Sequence, residues 1–231
     1  DITASDDAPL DMTSIIVNPD FSTGDASGWT YGFDPISNLG YQGATYTNGE
    51  VSISQFIEGW RSGNNPIGDG SIEQTLKALP AGTYVLAADI CANDQGGTKE
   101  STAGFYLFAN EEGGKKFAIE VATGNGLPEH FELTINKETK ESELTIGIMT
   151  LNAAGNWLAA DNFTLTYYGT ESAKVPAGDA TGIESVELVE VISSTYYTLG
   201  GAKVSAPVKG INIVKSVLSN GKVKVQKVFV K

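Results

Sequence analysis

The sequence predicts an all-β protein in two parts: a β-sandwich over residues 12–169 and a small β-domain over 184–231. Three observations predict it. Long apolar patterns of helical period are absent. Short runs with a period of two recur along the chain, separated by Gly, Pro, Asn and Asp. A small, polar stretch, Gly169 to Gly182, then interrupts the pattern before shorter alternating runs resume.

The strands follow in order. Asp1 to Asp11 is polar and acidic and reads as a disordered leader. The first strand expected is Thr13 to Val17. Glu50–Ile57, Ser71–Leu76, Thr83–Ala92, Gly104–Ala109, Lys116–Val121, His130–Ile135, Glu143–Thr150 and Trp157–Tyr168 follow. In Thr83–Ala92, Tyr84, Leu86, Ala88 and Ile90 fall on one side and Val85, Ala87, Asp89 and Cys91 on the other. Both sides are largely apolar, as in a central strand covered on each face. Eight or nine such strands indicate a sandwich or barrel. Residues 170–183 read as a linker, with Pro176 inside it. After it come Ser185–Ile192, Thr195–Leu199, Gly210–Lys215 and Lys222–Val230, the last with one wet and one dry face and an Asn220-Gly221 turn before it.

Composition excludes several chemistries. With 41% hydrophobic residues the chain can bury a core. The single cysteine, Cys91, forms no disulfide within the chain and lies in an apolar run, so it reads as a buried, inert thiol. The single histidine, His130, rules out histidine-cluster metal sites. A Ser-His-Asp triad would have to use it, and it sits in a strand-like stretch. No apolar run is long enough to span a bilayer. The opening at Asp1 reads as a trimmed mature form, to which a lipid anchor could have belonged.

Charge is uneven. Residues 191–231 hold seven lysines and no acid, and with the whole chain at −13 the first 190 residues carry −20. So acidic a body argues against nucleic acid as a partner. The lysines read as edge protection on solvated strands, with contact to an anionic polysaccharide, a lipid headgroup or the acidic body as the alternative.

Three groups of motifs carry a resemblance. Near the start are Ile16-Val17-Asn18-Pro19-Asp20-Phe21-Ser22 and Gly28-Trp29. In the middle are Phe56-Ile57-Glu58-Gly59-Trp60, Ile72-Glu73-Gln74-Thr75-Leu76 and Leu79-Pro80-Ala81-Gly82-Thr83-Tyr84. At the end is Asn156 to Gly169. In this order they resemble the galactose-binding-like jelly roll of carbohydrate-binding modules and of Bacteroidetes surface proteins. Tyr197 to Val204 and Val208 to Val214 resemble the short C-terminal β-module of exported Bacteroidetes proteins, which is similar to type IX secretion sorting domains. The resemblance implies export to the cell surface, the periplasm or the medium. It implies non-catalytic binding of a poly- or oligosaccharide, and a structural calcium ion tying the first loop to the last strand. Asp161 matches the acidic position in the last strand and Asp20 is a nearby oxygen donor, while Ser22 stands where the family often has an acid. Without a metal, Asp161 would cap the N-terminal loop.

Sugars are held by stacking on aromatic faces and by bonds to amides and carboxylates. The loop Trp60 to Asp69 combines an aromatic, the only arginine and two amides, so Trp60, Arg61, Asn64, Asn65 and Asp69 are the first candidates. Tyr41 and Tyr46, in a group with Gln42 and Asn48, and Asn93, beside Asp94 and Gln95, complete the set. Trp60 could equally plug the core at a strand end. Trp29 and Trp157 belong to framework motifs, and Tyr41 and Tyr46 could cover a sheet edge. Two other functions stand beside sugar binding. One is a protein-binding adhesion or scaffold module with the aromatics as a patch. The other is a glycoside hydrolase drawing on Glu58, Asp69, Glu73, Asp89 and Asp161.

Overall fold

The computed structural model describes residues 2–33, 36–63, 65–95, 103–121, 123, 126–176, 191–218 and 223–230. The chain divides into two compact units, Asp1–Val186 and Glu187–Lys231. In the first, the strands are β1 (Leu10–Asp11), β2 (Thr30–Tyr31), β3 (Asn38–Gln42), β4 (Tyr46–Asn48), β5 (Val51–Ile53), β6 (Phe56–Trp60) and β7 (Gly70–Leu76). Then come β8 (Gly82–Asn93), β9 (Phe105–Glu111), β10 (Lys116–Glu120), β11 (Glu129–Lys137), β12 (Leu144–Thr150) and β13 (Trp157–Gly169). Eleven of them build two antiparallel sheets, and β4 and β5 pair with each other in a separate hairpin. One sheet has the order β11-β8-β13-β6-β3, with β1 added beside β13, and the other has the order β10-β9-β12-β7-β2.

Alternation explains the core. Tyr84, Leu86, Ala88 and Ile90 of β8 and Leu158, Ala160 and Leu165 of β13 point inward. They meet Ile72, Leu107, Ile146 and Ile148 from the other sheet. The sandwich predicted from period two is therefore the sandwich found. Gly147 is required where β12 passes β7, because a Cβ there would stand 2.1 Å from the Ile72 carbonyl oxygen.

The N-terminal end departs from expectation. Leu10 and Asp11 pair with Tyr167 and Thr166, and the Asp6 carboxylate accepts hydrogen bonds from Ser172 Oγ and the Ala173 N–H. The opening is thus held to β13 by backbone pairing, and by the Asp6 carboxylate to the segment that follows β13, and is not a loose leader. Thr13–Ile15 is a 3-10 turn and not a strand. Asp11 Oδ1 accepts the Thr13 N–H and starts the turn, while Thr13 Oγ1 accepts the Leu165 N–H. The backbone of Val17 is already occupied: its N–H donates to Gln74 Oε1 at 2.7 Å, and its carbonyl accepts from Gln74 Nε2 at 2.9 Å. The side-chain amide replaces the neighbouring strand.

The second unit holds β14 (Val191–Thr198), β15 (Lys203–Val204), β16 (Gly210–Leu218) and β17 (Val223–Val230), in the antiparallel order β15-β14-β16-β17. Asn212 is fully buried and fastens its own turn, bonding the Val208 N–H, the Val208 carbonyl and the Gly210 carbonyl. The face of β17 expected to be dry is open: Val225 is 62% and Phe229 67% exposed. The greater part of the expected linker, residues 177–183, and the start of the expected strand Ser185–Ile192 lie outside the described residues. Among the described residues no helix is long and apolar enough to cross a membrane.

Candidate functional site

The outer face of the first sheet is apolar in its middle because it is covered. Alternation sends Phe56, Glu58 and Trp60 of β6 to that face, with Trp157 and Ala159 of β13 and Cys91 of β8. Ile57 and Leu158 go inward. The hairpin of β4 and β5 lies over them, and Ile53 joins Phe56, Cys91, Trp157 and Ala159 in a second buried cluster. Tyr46 packs at its margin, its ring centroid 5.1 Å from that of Trp157 and 5.8 Å from that of Phe56.

Where the cover ends, a hollow of about 200 Å³ opens. Its apolar wall is Trp60, Tyr46, Phe56 and Ala44. Its polar wall is Asn38 and Gln42 from β3, Gln95 beyond β8, and Glu58. Register brings these together: Asn38 lies opposite Trp60, and Gln42 opposite Phe56. Glu58 is 7% exposed. Its Oε2 accepts the Trp157 indole N–H at 2.7 Å and its Oε1 accepts Asn38 Nδ2 at 3.3 Å. Burial raises the Glu58 pKa above the usual carboxylate range, against the pull of those two donors. The three tryptophans differ in one respect. The Trp157 N–H is held by Glu58, and that of Trp29 by the Val17 carbonyl. The Trp60 N–H has no hydrogen-bond partner among the described residues, and its ring is half-buried on the wall.

Of the residues singled out in the sequence, the structure brings Trp60 and Tyr46 to this hollow. Tyr41 alternates to the inner face, packs on the sandwich core and donates its hydroxyl to Gln55 Oε1. Arg61 Nη1 donates to the Pro66 carbonyl and Asn65 Nδ2 to the Ser62 carbonyl, so both side chains hold their own loop. Asp69 Oδ1 accepts the Asn152 N–H. Asn93 is fully buried, its side-chain amide unpaired among the described residues, and it is closely approached by Gly126. Asn64 lies outside the described residues. Sequence reasoning missed Asn38 and left Glu58, Gln42 and Gln95 out of the favoured set. Counting back by twos from Trp60 yields Glu58 and Phe56, a signal that grouping by loop overlooks.

The Asp20 and Asp161 carboxylates are engaged by neighbouring hydrogen-bond donors. Asp161 is buried, its Oδ2 accepts the Ser54 N–H at 3.1 Å and its Oδ1 the Asn162 N–H at 2.7 Å. Burial pushes its pKa up to about 6. Asp20 Oδ1 is engaged by Ser22, through N–H and hydroxyl. Among the described residues no three His, Cys, Asp or Glu side chains converge as metal ligands. The first loop meets the last strand through a hydrogen bond, the Phe163 N–H to the Pro19 carbonyl at 2.9 Å. Phe21, Trp29 and Phe163 pack around it.

No family model matches the chain, and no curated protein matches its sequence. Solved structures match it in fold. The apo form of a cyclase from Fischerella sp. superposes with a TM-score of 0.53 at 18% identity, over 71% of this chain and 98% of that one. A Stig cyclase from Fischerella sp. TAU, in complex with (3Z)-3-(1-methyl-2-pyrrolidinylidene)-3H-indole, gives 0.51 at 19% identity, over 71% and 100%. The first unit is a β-sandwich of that fold. TmCBM61, in complex with β-1,4-galactotriose, matches more loosely, with a TM-score of 0.49 at 22% identity, over 65% of this chain and 96% of that one. A shared fold fixes the scaffold and leaves the chemistry to the site.

Proposed function

We propose that the hollow binds a poly- or oligosaccharide and carries out no chemistry on it. The observation that carries this reading is Trp60: a half-buried aromatic ring on the wall of the hollow, beside three amide side chains and one carboxylate. A pyranose has an apolar C–H face and a rim of hydroxyls, each donor and acceptor at once. Trp60 and Tyr46 supply the stacking surface; Asn38, Gln42, Gln95 and Glu58 supply the rim. Hydrolysis by the two-carboxylate route needs a pair on opposite sides of the scissile bond, roughly 5–10 Å apart. Glu58 is the one carboxylate lining the hollow among the described residues. A polysaccharide ligand goes with an exported protein, at the cell surface, in the periplasm or in the medium.

Affinity electrophoresis against a panel of soluble polysaccharides tests the reading. At least one polymer should retard the protein, and Trp60→Ala should weaken that binding by about tenfold or more, the loss of one aromatic contact. Retardation by none of the polymers refutes sugar binding, and capture of a protein partner in its place establishes the adhesion reading. Release of reducing sugar that is lost in Glu58→Gln establishes a hydrolase.

A further inference from the structure

The hollow's charge is more selective than its shape. Glu58 is buried in the wall, and its bonded neighbours, Trp157 and Asn38, are uncharged donors. None of the described side chains lining the hollow is a lysine, arginine or histidine. The only arginine follows Trp60 in sequence, but its Nη1 is turned to the Pro66 carbonyl. The chain around the site is acidic as well, at −20 over the first 190 residues when the whole is −13.

Resting on the sugar-binding reading, we infer that the hollow takes neutral sugars and turns acidic ones away. A neutral hydroxyl donates to Glu58 and accepts from the Asn38, Gln42 or Gln95 amide, so each wall group meets a complement. A uronate carboxylate is acceptor-only. It would leave its water facing a second acceptor, with no cation to compensate, and burying an unpaired charge is costly. If Glu58 is ionised, direct repulsion adds to that cost. At about 5 Å and an effective dielectric near 20, the repulsion alone is worth roughly two-hundredfold in affinity. If Glu58 is protonated, its O–H can donate to the carboxylate and the repulsion vanishes, so the selectivity rests on the ionised acid.

The test pairs each polymer with its own oxidation product. Galactan, mannan and glucan are each compared with the same polymer converted to the uronate at C6, by affinity electrophoresis with the full chain at pH 7.5. The expected result is that the neutral polymer which binds loses at least about tenfold in affinity on oxidation. Glu58→Gln keeps an acceptor for the Trp157 N–H and removes the buried acid, so the neutral-to-oxidised ratio should shrink several-fold in that variant. Equal or tighter binding of an oxidised polymer overturns the selectivity and leaves sugar binding standing. A ratio unchanged in a folded Glu58→Gln overturns the role of Glu58. No binding to any polymer, neutral or oxidised, overturns both.

Discussion

Asp161 offers the sharpest physical test of the first unit. It is 2% exposed, and burial pushes its pKa up to about 6 from an ordinary 3.8, although backbone N–H groups of Ser54, Asn162 and Gln55 pull the other way. The folded state therefore keeps this proton to higher pH than the unfolded chain does. Its contribution to stability is complete below about pH 3.8 and is lost as pH rises through about 6. At 1.36 kcal/mol per pKa unit the full loss is roughly 3 kcal/mol, of which about 2.4 kcal/mol falls between pH 4 and pH 7. Asp161→Asn cannot titrate, but it forfeits part of the acceptor capacity for two N–H groups, so its absolute stability mixes two effects. The informative quantity is the difference between wild type and variant. That difference should fall by about 2 kcal/mol from pH 4 to pH 7, other titrating groups cancelling in the subtraction. Urea unfolding followed by tryptophan fluorescence at half-unit pH steps measures it. All three tryptophans, Trp29, Trp60 and Trp157, lie in the first unit, so the signal reports that unit alone. A difference that stays flat with pH refutes the argument from burial. A difference that rises with pH points to a cation holding Asp161 ionised.

Three further outcomes follow from the same geometry. Chelation with EDTA should leave the melting temperature of the first unit unchanged, since the Phe163–Pro19 hydrogen bond and the aromatic trio join the loop to the last strand. A fall on chelation would reinstate the calcium ion, because a ligand bound only by the folded state stabilises it. Cys91 is fully buried and its thiol is pushed up to about 12 by burial, so native protein should resist maleimide while urea-unfolded protein takes one equivalent. Rapid labelling of the native chain would contradict the second cluster. Gly147→Ala should cost more than about 2 kcal/mol in urea unfolding, because its new Cβ meets backbone rather than a movable side chain; a neutral effect would mean β12 and β7 separate freely.

The fold was legible where both faces of a strand are apolar. Thr83 to Ala92 carried that signature, and β8 is the central strand whose inner face enters the sandwich and whose outer face carries Cys91 under the hairpin. Short strands at the edge were not legible. β3 reads Asn-Leu-Gly-Tyr-Gln, and its outward residues, Asn38, Gly40 and Gln42, give no apolar signal. The Thr13–Val17 error has another cause. A β-branched, apolar run reads as a strand, but Ile15 and Ile16 bond back into a local turn and the Gln74 side chain, 57 residues away, takes the Val17 N–H and carbonyl, which no local pattern encodes.

The site was half-legible for a related reason. Grouping aromatic and amide residues by nearness along the chain places Arg61, Asn65 and Asp69 with Trp60. Strands sort residues by parity and by register instead. Trp60 faces the hollow with Glu58, two residues back, and Asn38, its partner across the ladder, while Arg61 has left the strand. The hollow itself follows from a mismatch of sizes. An outer sheet face rich enough in apolar side chains to need a cover is covered by a hairpin of only three residues a side. Trp157 and Trp60 stand opposite each other in register. One lies under the cover with its N–H fixed on Glu58; the other lies at the margin, its ring half-buried on the wall of the hollow. The same apolar face that buries one ring leaves the next exposed to a ligand, which is how a stabilising cluster and a stacking platform come to be one surface.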